Sequence, residues 1–322
     1  MGETWRRFFD CGVLVVGSYP DGWRGEYPLV EACRKIFRDD FFTVAEIVPP
    51  VDPLARKHVV EEARAAGVTL VVAAALSYFQ QGIRPAEAER VVWEQSLDKA
   101  KRLVDVCAEM GVGLQQVTAG SDPGPENRPA ARRRLVEFYS RLCEYAVALQ
   151  PDRPLAFTLE PTDREIQIKG LIGPTEEAIE VIAAVRRQWP NMGLTLDLAH
   201  IPQVGESFEQ AVEAGKAYLD HVHLANTVIR QRDHPRYGDQ HPQFGVPGGE
   251  FDVPEVARFI QVLLRAGFFK LQAYGPRPIM SAEVRPTPGE TPDLVLTATK
   301  RKLREAFALI DWSAEGSYGD AR

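Results

Sequence analysis

Short apolar segments alternate with longer amphipathic segments along the whole chain, and this alternation restricts the fold more than any other feature of the sequence. The apolar segments are rich in Val, Ile, Leu and Thr and lack strict polar alternation, as is typical of strands buried on both faces. The predicted strands are residues 12–18, 43–48, 69–75, 113–118, 155–160, 193–197, 221–225 and 279–283. The predicted helices are residues 29–38, 53–66, 86–110, 132–149, 175–188, 207–217, 253–266 and 292–309.

Residues that commonly cap helices support these boundaries. Gly67, Gly111 and Gly267 each follow a predicted helix, where glycine often ends the last turn. Asp52 and Asp252 precede predicted helices as candidate N-caps. The alternation of strands and helices predicts an α/β protein with a (β/α)8 barrel, the TIM-barrel architecture. The structural alternative, a doubly wound sheet, usually carries a glycine-rich phosphate loop after its first strand, and no such loop is present.

Length and composition agree with one large domain. The 322 residues permit two average domains or one barrel, and no linker divides the chain. Hydrophobic residues make up 45% of the sequence, which is enough to bury a large core. We therefore expect a single TIM-barrel domain over residues 1–322, with a frayed tail after about residue 312.

Charge and cysteine content disfavour several classes of protein. The net charge is −7 without any run of basic residues, whereas a nucleic-acid binder normally needs a basic surface. The apolar runs are far shorter than the ~20 residues of a membrane-spanning helix, and no apolar signal region begins the sequence. Four widely spaced cysteines without a CxxC motif favour reduced thiols. We expect a soluble, cytoplasmic protein that binds neither nucleic acid nor a membrane.

Carboxylates and one imidazole stand at or near the ends of the last four predicted strands. We call this group the strand-end quartet: Glu160, Asp197, His223 and Glu283. Catalytic groups of a barrel come from the C-terminal ends of its strands, so these side chains should meet. Three carboxylates in one cleft would repel each other, and a divalent cation removes that repulsion. The mixed oxygen and nitrogen donors suit Mn²⁺, Mg²⁺, Co²⁺, Zn²⁺ or Fe²⁺.

Each member of the strand-end quartet also has a purely structural interpretation. A glutamate at a strand end can form a salt bridge, Asp197 can cap a helix, and a histidine in a His-Val-His strand can be a core residue. Such accidents rarely coincide on four consecutive strands. The metal site is therefore the favoured interpretation of the group as a whole.

Several motifs together resemble the xylose-isomerase-like TIM-barrel superfamily, from about the second strand to the eighth. They are Leu-Glu-Pro at 159–161, Leu-Asp-Leu-Ala-His at 196–200, His-Val-His-Leu-Ala-Asn at 221–226, Gly-Gly-Glu-Phe-Asp at 248–252 and Ala-Glu at 282–283. This superfamily includes sugar isomerases, ketose 3-epimerases, inosose dehydratases and the endonuclease IV group. The resemblance implies that the strand-end quartet binds the catalytic metal, with the second histidine of the His-x-His pair as the ligand.

The resemblance also implies roles for residues outside the quartet. His200 corresponds to a histidine that contacts substrate in the epimerases. Asp239 and His241 resemble the Asp-x-His motif that, with the equivalent of His200, holds a further zinc in endonuclease IV. These residues could hold a second metal or bind substrate hydroxyls, and we expect one metal. The histidines that complete the endonuclease site are missing from the third and fourth strands, which argues against DNA repair.

Three further residues are candidates for binding substrate. Glu46 ends the second predicted strand and could bind a hydroxyl or form an ion pair across the barrel mouth. Gln116, on the fourth strand, could bind a hydroxyl as well. Arg285 could hold an anionic group or be an ordinary surface charge. The epimerases carry an arginine shortly after the metal-binding histidine, but here Arg230 and Arg232 are out of register with it.

The chemistry that such a site supports is proton transfer next to a carbonyl. The metal would polarise the carbonyl of a sugar or polyol substrate, and Glu160 and Glu283 would act as acid and base through a metal-stabilised cis-enediolate. This predicts an isomerase or epimerase of carbohydrate metabolism, and a homo-oligomer is compatible with this prediction. One alternative is a dehydratase or lyase, either inosose dehydratase-like or C-glycoside-cleaving. The other is a non-catalytic sugar-binding subunit, which would not need an acid and base pair.

Overall fold

Eight parallel strands form a closed ring in which each strand pairs with its neighbours in the sequence and β8 pairs with β1. The computed structural model describes residues 3–24, 26–270 and 277–312, so the tail predicted after residue 312 lies outside the described residues. The (β/α)8 barrel predicted from the sequence is confirmed. The strands are β1 (Asp10–Leu14), β2 (Val44–Ile47), β3 (Thr69–Ala73), β4 (Leu114–Thr118), β5 (Ala156–Glu160), β6 (Met192–Asp197), β7 (Leu219–Leu224) and β8 (Ile279–Ala282).

Helices separate the strands and cover the outside of the ring. They are α1 (Val15–Ser18), α2 (Glu26–Phe37), α3 (Pro53–Ala66), α4 (Ala74–Gln81), α5 (Arg90–Met110), α6 (Arg128–Leu149), α7 (Thr175–Arg186), α8 (His200–Gln203), α9 (Phe208–Gly215), α10 (Val253–Arg265) and α11 (Pro292–Ala308). Short 3₁₀ helices cover Thr4–Arg7, Pro20–Arg24 and Phe268–Lys270. None of the helices within the described part of the chain is long and apolar enough to cross a membrane.

Two strand boundaries predicted from the sequence are wrong for the same reason. The first strand was expected over residues 12–18 but covers Asp10–Leu14, and α1 follows it directly. The third was expected to end at residue 75 but ends at Ala73, where α4 begins. The first residues of both helices are buried and apolar, so their composition does not distinguish a helical turn from a continuing strand.

Helix caps fix where the longer helices begin and end. The Asp52 carboxylate accepts hydrogen bonds from the backbone N–H groups of Leu54 and Ala55 at the start of α3. Gly67 ends the same helix with a φ of 69°, a conformation that glycine adopts without strain. Capping boxes formed by Ser207 and Asp252 begin α9 and α10. The sequence therefore determines these ends locally.

The interior of the ring changes from apolar to polar toward the C-terminal ends of the strands. Near the N-terminal ends, apolar side chains form a cluster separate from the main core: Val44, Val71, Leu114, Ala156 and Ile279. Further along the strands, buried polar side chains take over: Glu46, Gln116, Thr158, Thr195, His221 and Ser281. All four cysteines are buried with free thiols, as the sequence suggested. The buried polar side chains of the ring therefore gather toward one end of the barrel.

Candidate metal centre and active site

The strand-end quartet comes together at the C-terminal mouth of the barrel. Glu160 and Asp197 end β5 and β6, His223 is the penultimate residue of β7, and Glu283 directly follows β8. All four side chains are buried, and each offers one ligand atom within 4.8 Å of the others. The backbone register places Asp197 beside His223 on adjacent strands. The geometry therefore brings together the four residues that the sequence nominated as metal ligands.

One imidazole nitrogen lies at the centre of the carboxylates. The Nδ1 atom of His223 is 3.0 Å from Oε1 of Glu160, 3.1 Å from Oε2 of Glu283, and farther from Asp197. Its distance to Oδ2 of Asp197 is 3.9 Å. The other ring nitrogen, Nε2, points the opposite way and lies 3.1 Å from Oε2 of Glu46. The Nδ1 atom is therefore the one that would face a cation held by the carboxylates.

Asp197 shows that the donor set fits a cation. Its Oδ1 accepts a hydrogen bond of 2.5 Å from the backbone N–H of Ala199, whereas its buried Oδ2 has no hydrogen-bond partner among the described residues. Leaving a charged oxygen buried and unpaired is costly, and native proteins rarely do so. A divalent cation held by Oδ2 and the other three donors would satisfy it.

The electrostatics of the site also reflect crowded carboxylates. Burial, with repulsion from neighbouring carboxylates, raises the pKa of Asp197 to about 6, although the His200 and His241 rings oppose this shift. Burial alone lowers the pKa of His223, but the carboxylates of Glu46 and Glu160 outweigh it and raise that pKa well above its usual value. Without a cation, the site therefore attracts protons. Metal binding would release them.

The two glutamates of the strand-end quartet have different hydrogen-bond partners. Oε2 of Glu160 accepts a 2.6 Å hydrogen bond from the side-chain amide of Gln116. Oε1 of Glu283 accepts one of 2.6 Å from the guanidinium of Arg285 and lies 3.2 Å from Nδ1 of His241. Burial alone raises the pKa of Glu283, but His241 and the other cationic neighbours outweigh it and lower that pKa well below its usual value. A neutral donor thus holds one glutamate and charged donors hold the other.

His200, Asp239 and His241 lie beside the quartet, as the sequence predicted, but their contacts differ from the expected three-ligand set. Nε2 of His241 is 2.5 Å from Oδ1 of Asp239, while Nδ1 of His200 is 3.7 Å from that oxygen. The group with metal-ligand spacing consists of His200, His241 and Asp197, so Asp197 replaces Asp239 in it. Asp239 acts instead as the hydrogen-bond partner of His241.

The backbone at His241 is strained and firmly held. Its φ is 44°, in the left-handed region that residues other than glycine rarely adopt. Its carbonyl accepts a 2.8 Å hydrogen bond from the backbone N–H of Arg285. Two residues earlier, the backbone N–H of Asp239 donates to the side-chain oxygen of Gln167 at 2.9 Å. These bonds from two other loops place the Asp239–His241 pair over the site.

Glu46 and Arg285, two of the proposed substrate ligands, are already engaged within the protein. Both oxygens of Glu46 face imidazoles, at 2.9 Å from Nε2 of His221 and 3.1 Å from Nε2 of His223, and the side chain is fully buried. Of the two roles considered for Glu46, these contacts correspond to pairing across the barrel, with imidazoles as the partners. The guanidinium of Arg285 lies between the carboxylates of Glu283 and Asp239, and its side chain is 36% exposed.

Several supporting residues escaped the sequence analysis. Gln203 places its side-chain oxygen 2.9 Å from Nδ1 of His200, and Gln167 supports Asp239 as described. Thr195 places its hydroxyl 3.2 Å from Nδ1 of His221. No motif marks these residues, because single polar side chains of this kind are common in helices, loops and strands alike. Only the α8 turn after His200 could have suggested Gln203, since residues three apart share a helix face.

Comparisons with known proteins agree with this architecture. Three solved structures with matching folds are a D-psicose 3-epimerase with D-tagatose from Clostridium cellulolyticum H10, an IolI protein with a bound zinc atom, and a 3-keto-D-glucoside 4-epimerase from E. coli. Their identities to this chain are 15%, 16% and 14%, and their TM-scores are 0.66, 0.69 and 0.64. Each match covers 93% of this chain and, respectively, 97%, 98% and 99% of the other. At such identities the likeness establishes the shared fold.

The family assignment comes from the sequence. No curated protein matched the chain in a sequence search. A family profile described as xylose isomerase-like TIM barrel matches residues 30–282, which is most of the chain and includes three members of the strand-end quartet. The fourth, Glu283, directly follows the matched region. The chain therefore belongs to the xylose isomerase-like TIM-barrel family.

Proposed function

We propose that this protein is a divalent-metal-dependent isomerase or epimerase that acts on a sugar or polyol. The observation that carries the proposal is the convergence of the strand-end quartet around Nδ1 of His223, with the unpaired Oδ2 of Asp197 beside it. The quartet would hold one Mn²⁺, Mg²⁺, Co²⁺, Zn²⁺ or Fe²⁺ ion. Such an ion would polarise a substrate carbonyl and acidify the neighbouring C–H bond.

Glu160 and Glu283 are the proposed acid and base. They come from β5 and β8, the two strands that flank β6 and β7 in the ring, so they approach the site from opposite sides. One carboxylate would remove the proton from the carbon next to the carbonyl, and the other would return it. Return to the same carbon from the opposite face produces an epimer. Return to the neighbouring carbon, with the carbonyl shifting, produces an isomer.

Gln116 and Arg285 are proposed to orient these two carboxylates. The amide of Gln116 holds Oε2 of Glu160 and leaves Oε1 facing the site. The guanidinium of Arg285 likewise holds Oε1 of Glu283 and leaves Oε2 beside His223. Each glutamate therefore presents one defined oxygen, and restricted orientation of this kind favours proton transfer.

His200, Asp239 and His241 are proposed to bind substrate hydroxyls. Their side chains are buried beside the quartet, and imidazole and carboxylate groups are suitable partners for a polyol. A second ion at Asp197, His200 and His241 is the alternative for this part of the site. The names of the structural relatives support a carbohydrate substrate, since two of them are epimerases of sugars or sugar derivatives. The zinc in the third supports a metal.

Deuterium exchange provides the test of this proposal. The metal-loaded protein is incubated in D₂O with a panel of ketoses and inososes, and the sugars are analysed by NMR and mass spectrometry. We expect deuterium at the carbon next to the carbonyl, with its incorporation lost in Glu160→Gln and Glu283→Gln. Loss of water or of a linked group from the substrate would instead establish the dehydratase or lyase alternative. Tight sugar binding without exchange by any member of the panel would establish the non-catalytic subunit.

A further inference from the structure

Glu46 lies across the barrel from the strand-end quartet and touches one of its members. It is the third residue of β2, on the opposite half of the ring from β5 to β8. Its side chain is fully buried, and its two oxygens lie 2.9 Å from Nε2 of His221 and 3.1 Å from Nε2 of His223. Both oxygens of this buried carboxylate therefore have imidazole partners within the protein.

The chemistry of these contacts determines where the histidine hydrogens lie. Each oxygen of Glu46 lies within hydrogen-bond distance of one imidazole Nε2. A carboxylate that faces an imidazole with each oxygen accepts from both rings, so Nε2 of His223 carries the hydrogen in its contact with Glu46. In the neutral ring, the lone pair is then on Nδ1. That is the atom 3.0 Å and 3.1 Å from the carboxylates of Glu160 and Glu283.

His221 keeps the Glu46 carboxylate from turning. Its Nε2 lies 2.9 Å from Oε1 of Glu46, and its Nδ1 lies 3.2 Å from the hydroxyl of Thr195. The Thr195 hydroxyl is in turn hydrogen-bonded to the hydroxyl of Thr158 at 2.8 Å. Because each oxygen of Glu46 has its own imidazole, rotation of the carboxylate would break both contacts. The ring of His223 is thereby held at its Nε2 side by a rigid partner.

We infer that Glu46 is a positioning residue that keeps the hydrogen of His223 on Nε2 and so makes Nδ1 its metal-binding atom. The partner of the second ring nitrogen commonly sets both the orientation and the basicity of a metal-binding histidine. His221 supports Glu46 in this role rather than binding metal. The inference rests on the proposed function only in assigning a metal to Nδ1.

The substitution Glu46→Gln tests this role. A carboxylate accepts from both imidazoles, whereas an amide accepts from one and must donate to the other. The Nε2 atom that faces the amide N–H group must then accept a hydrogen bond from it. Where that ring is His223, its own hydrogen moves onto Nδ1. We expect zinc affinity, measured by competition with a chromogenic chelator, to fall about 10- to 100-fold.

Ser281→Ala is the matched control. Ser281 is a buried polar residue of the same barrel interior, paired with His223 in the register of β7 and β8, and its hydroxyl has no hydrogen-bond partner in the described structure. We expect its zinc affinity to equal that of the wild type. Unchanged zinc affinity in a folded Glu46→Gln variant whose His223 carries hydrogen on Nδ1, checked by circular dichroism and imidazole NMR, would overturn the inference.

The wild-type protein provides a readout that depends on neither folding of a variant nor turnover. In ¹⁵N-labelled protein, long-range ¹H–¹⁵N NMR of the imidazoles reports which nitrogen of His223 carries hydrogen. We expect hydrogen on Nε2 in both the metal-free and the zinc-loaded protein. Hydrogen on Nδ1 alone would overturn the inference. Failure to bind any of Mn²⁺, Mg²⁺, Co²⁺, Zn²⁺ and Fe²⁺, with hydrogen still on Nε2, would reject the proposed function and leave the positioning role standing.

Discussion

The two halves of the barrel mouth differ in what they contribute. The strands β5 to β8 present the strand-end quartet, whereas β2 and β4 present Glu46 and Gln116, whose side chains bond to His223 and Glu160. One half thus offers donor atoms to a ligand, and the other half orients those atoms across the barrel. A site of the proposed kind would therefore need the whole ring, although its proposed reactive groups come from only half of it.

The largest expected effect follows from removing the metal that the strand-end quartet is proposed to hold. Dialysis against EDTA should abolish deuterium exchange, and added Mn²⁺, Co²⁺ or Zn²⁺ should restore it, because the quartet without a cation is a cluster of mutually repelling carboxylates. Metal content before and after dialysis is measured by mass spectrometry. Full activity in protein shown to be free of metal would contradict the metal-dependent mechanism.

The next largest effect should come from the acid and base pair. Glu160→Gln and Glu283→Gln keep the shape of each side chain but cannot transfer a proton, so we expect turnover to fall about 10²- to 10⁴-fold. Steady-state kinetics on the substrate found by deuterium exchange measures the loss, and circular dichroism checks the fold. Normal turnover in both variants would remove the two glutamates from the mechanism.

A smaller effect on turnover is expected from the half of the barrel mouth that orients the donor atoms. Gln116→Leu removes the amide that holds Oε2 of Glu160, and a hydrogen bond to a charged group contributes about 1.5–3 kcal/mol. Turnover should therefore fall roughly tenfold or more. Gln115→Leu is the matched control, since the neighbouring side chain contacts Cys107 instead of the site. Equal turnover in the two variants would show that β4 does not assist the site.

The smallest effect on function should come from a substitution far from the barrel mouth. Ser207→Ala removes the capping box of α9, and we expect the free energy of unfolding to fall by about 1 kcal/mol with metal affinity unchanged. Urea denaturation followed by circular dichroism measures the change. Ser207→Asn, which can still cap, should retain most of the stability. A loss of metal affinity in Ser207→Ala would show that the mouth depends on a distant helix end.

The barrel and the positions of the candidate ligands could be predicted because each depends on local signals. Buried parallel strands produce apolar runs, and Gly67 or Asp252 marks helix ends in the sequence. Glu160 and Asp197 were found because they stand directly at strand ends, where the fold dictates that they meet. Short helices such as α1 and α4 were missed, because a few buried apolar residues have no recognisable period.

The partners in the contacts across the barrel could not be predicted, although an ion pair across the mouth was one alternative for Glu46. Glu46 and His221 are separated by 175 positions, and nothing in either segment indicates that their side chains meet. Gln167 and Asp239 are likewise far apart in the sequence. The side-chain oxygen of Gln167 accepts a hydrogen bond from the backbone N–H of Asp239, which lies in another loop. Sequence spacing predicts which end of a strand a residue occupies. It does not predict which side chains across the opening will touch.

The closed ring has a consequence for the order in which the protein can be made. β8 pairs with β7 on one side and with β1 on the other, so the last strand completes a ring begun by the first. Glu160, Asp197 and His223 leave the ribosome before Glu283 does. A nascent chain can therefore display most of the donor atoms, but the full quartet forms only after β8 and Glu283 have been synthesised. Loading of the proposed metal should then be a late event that marks a completed barrel.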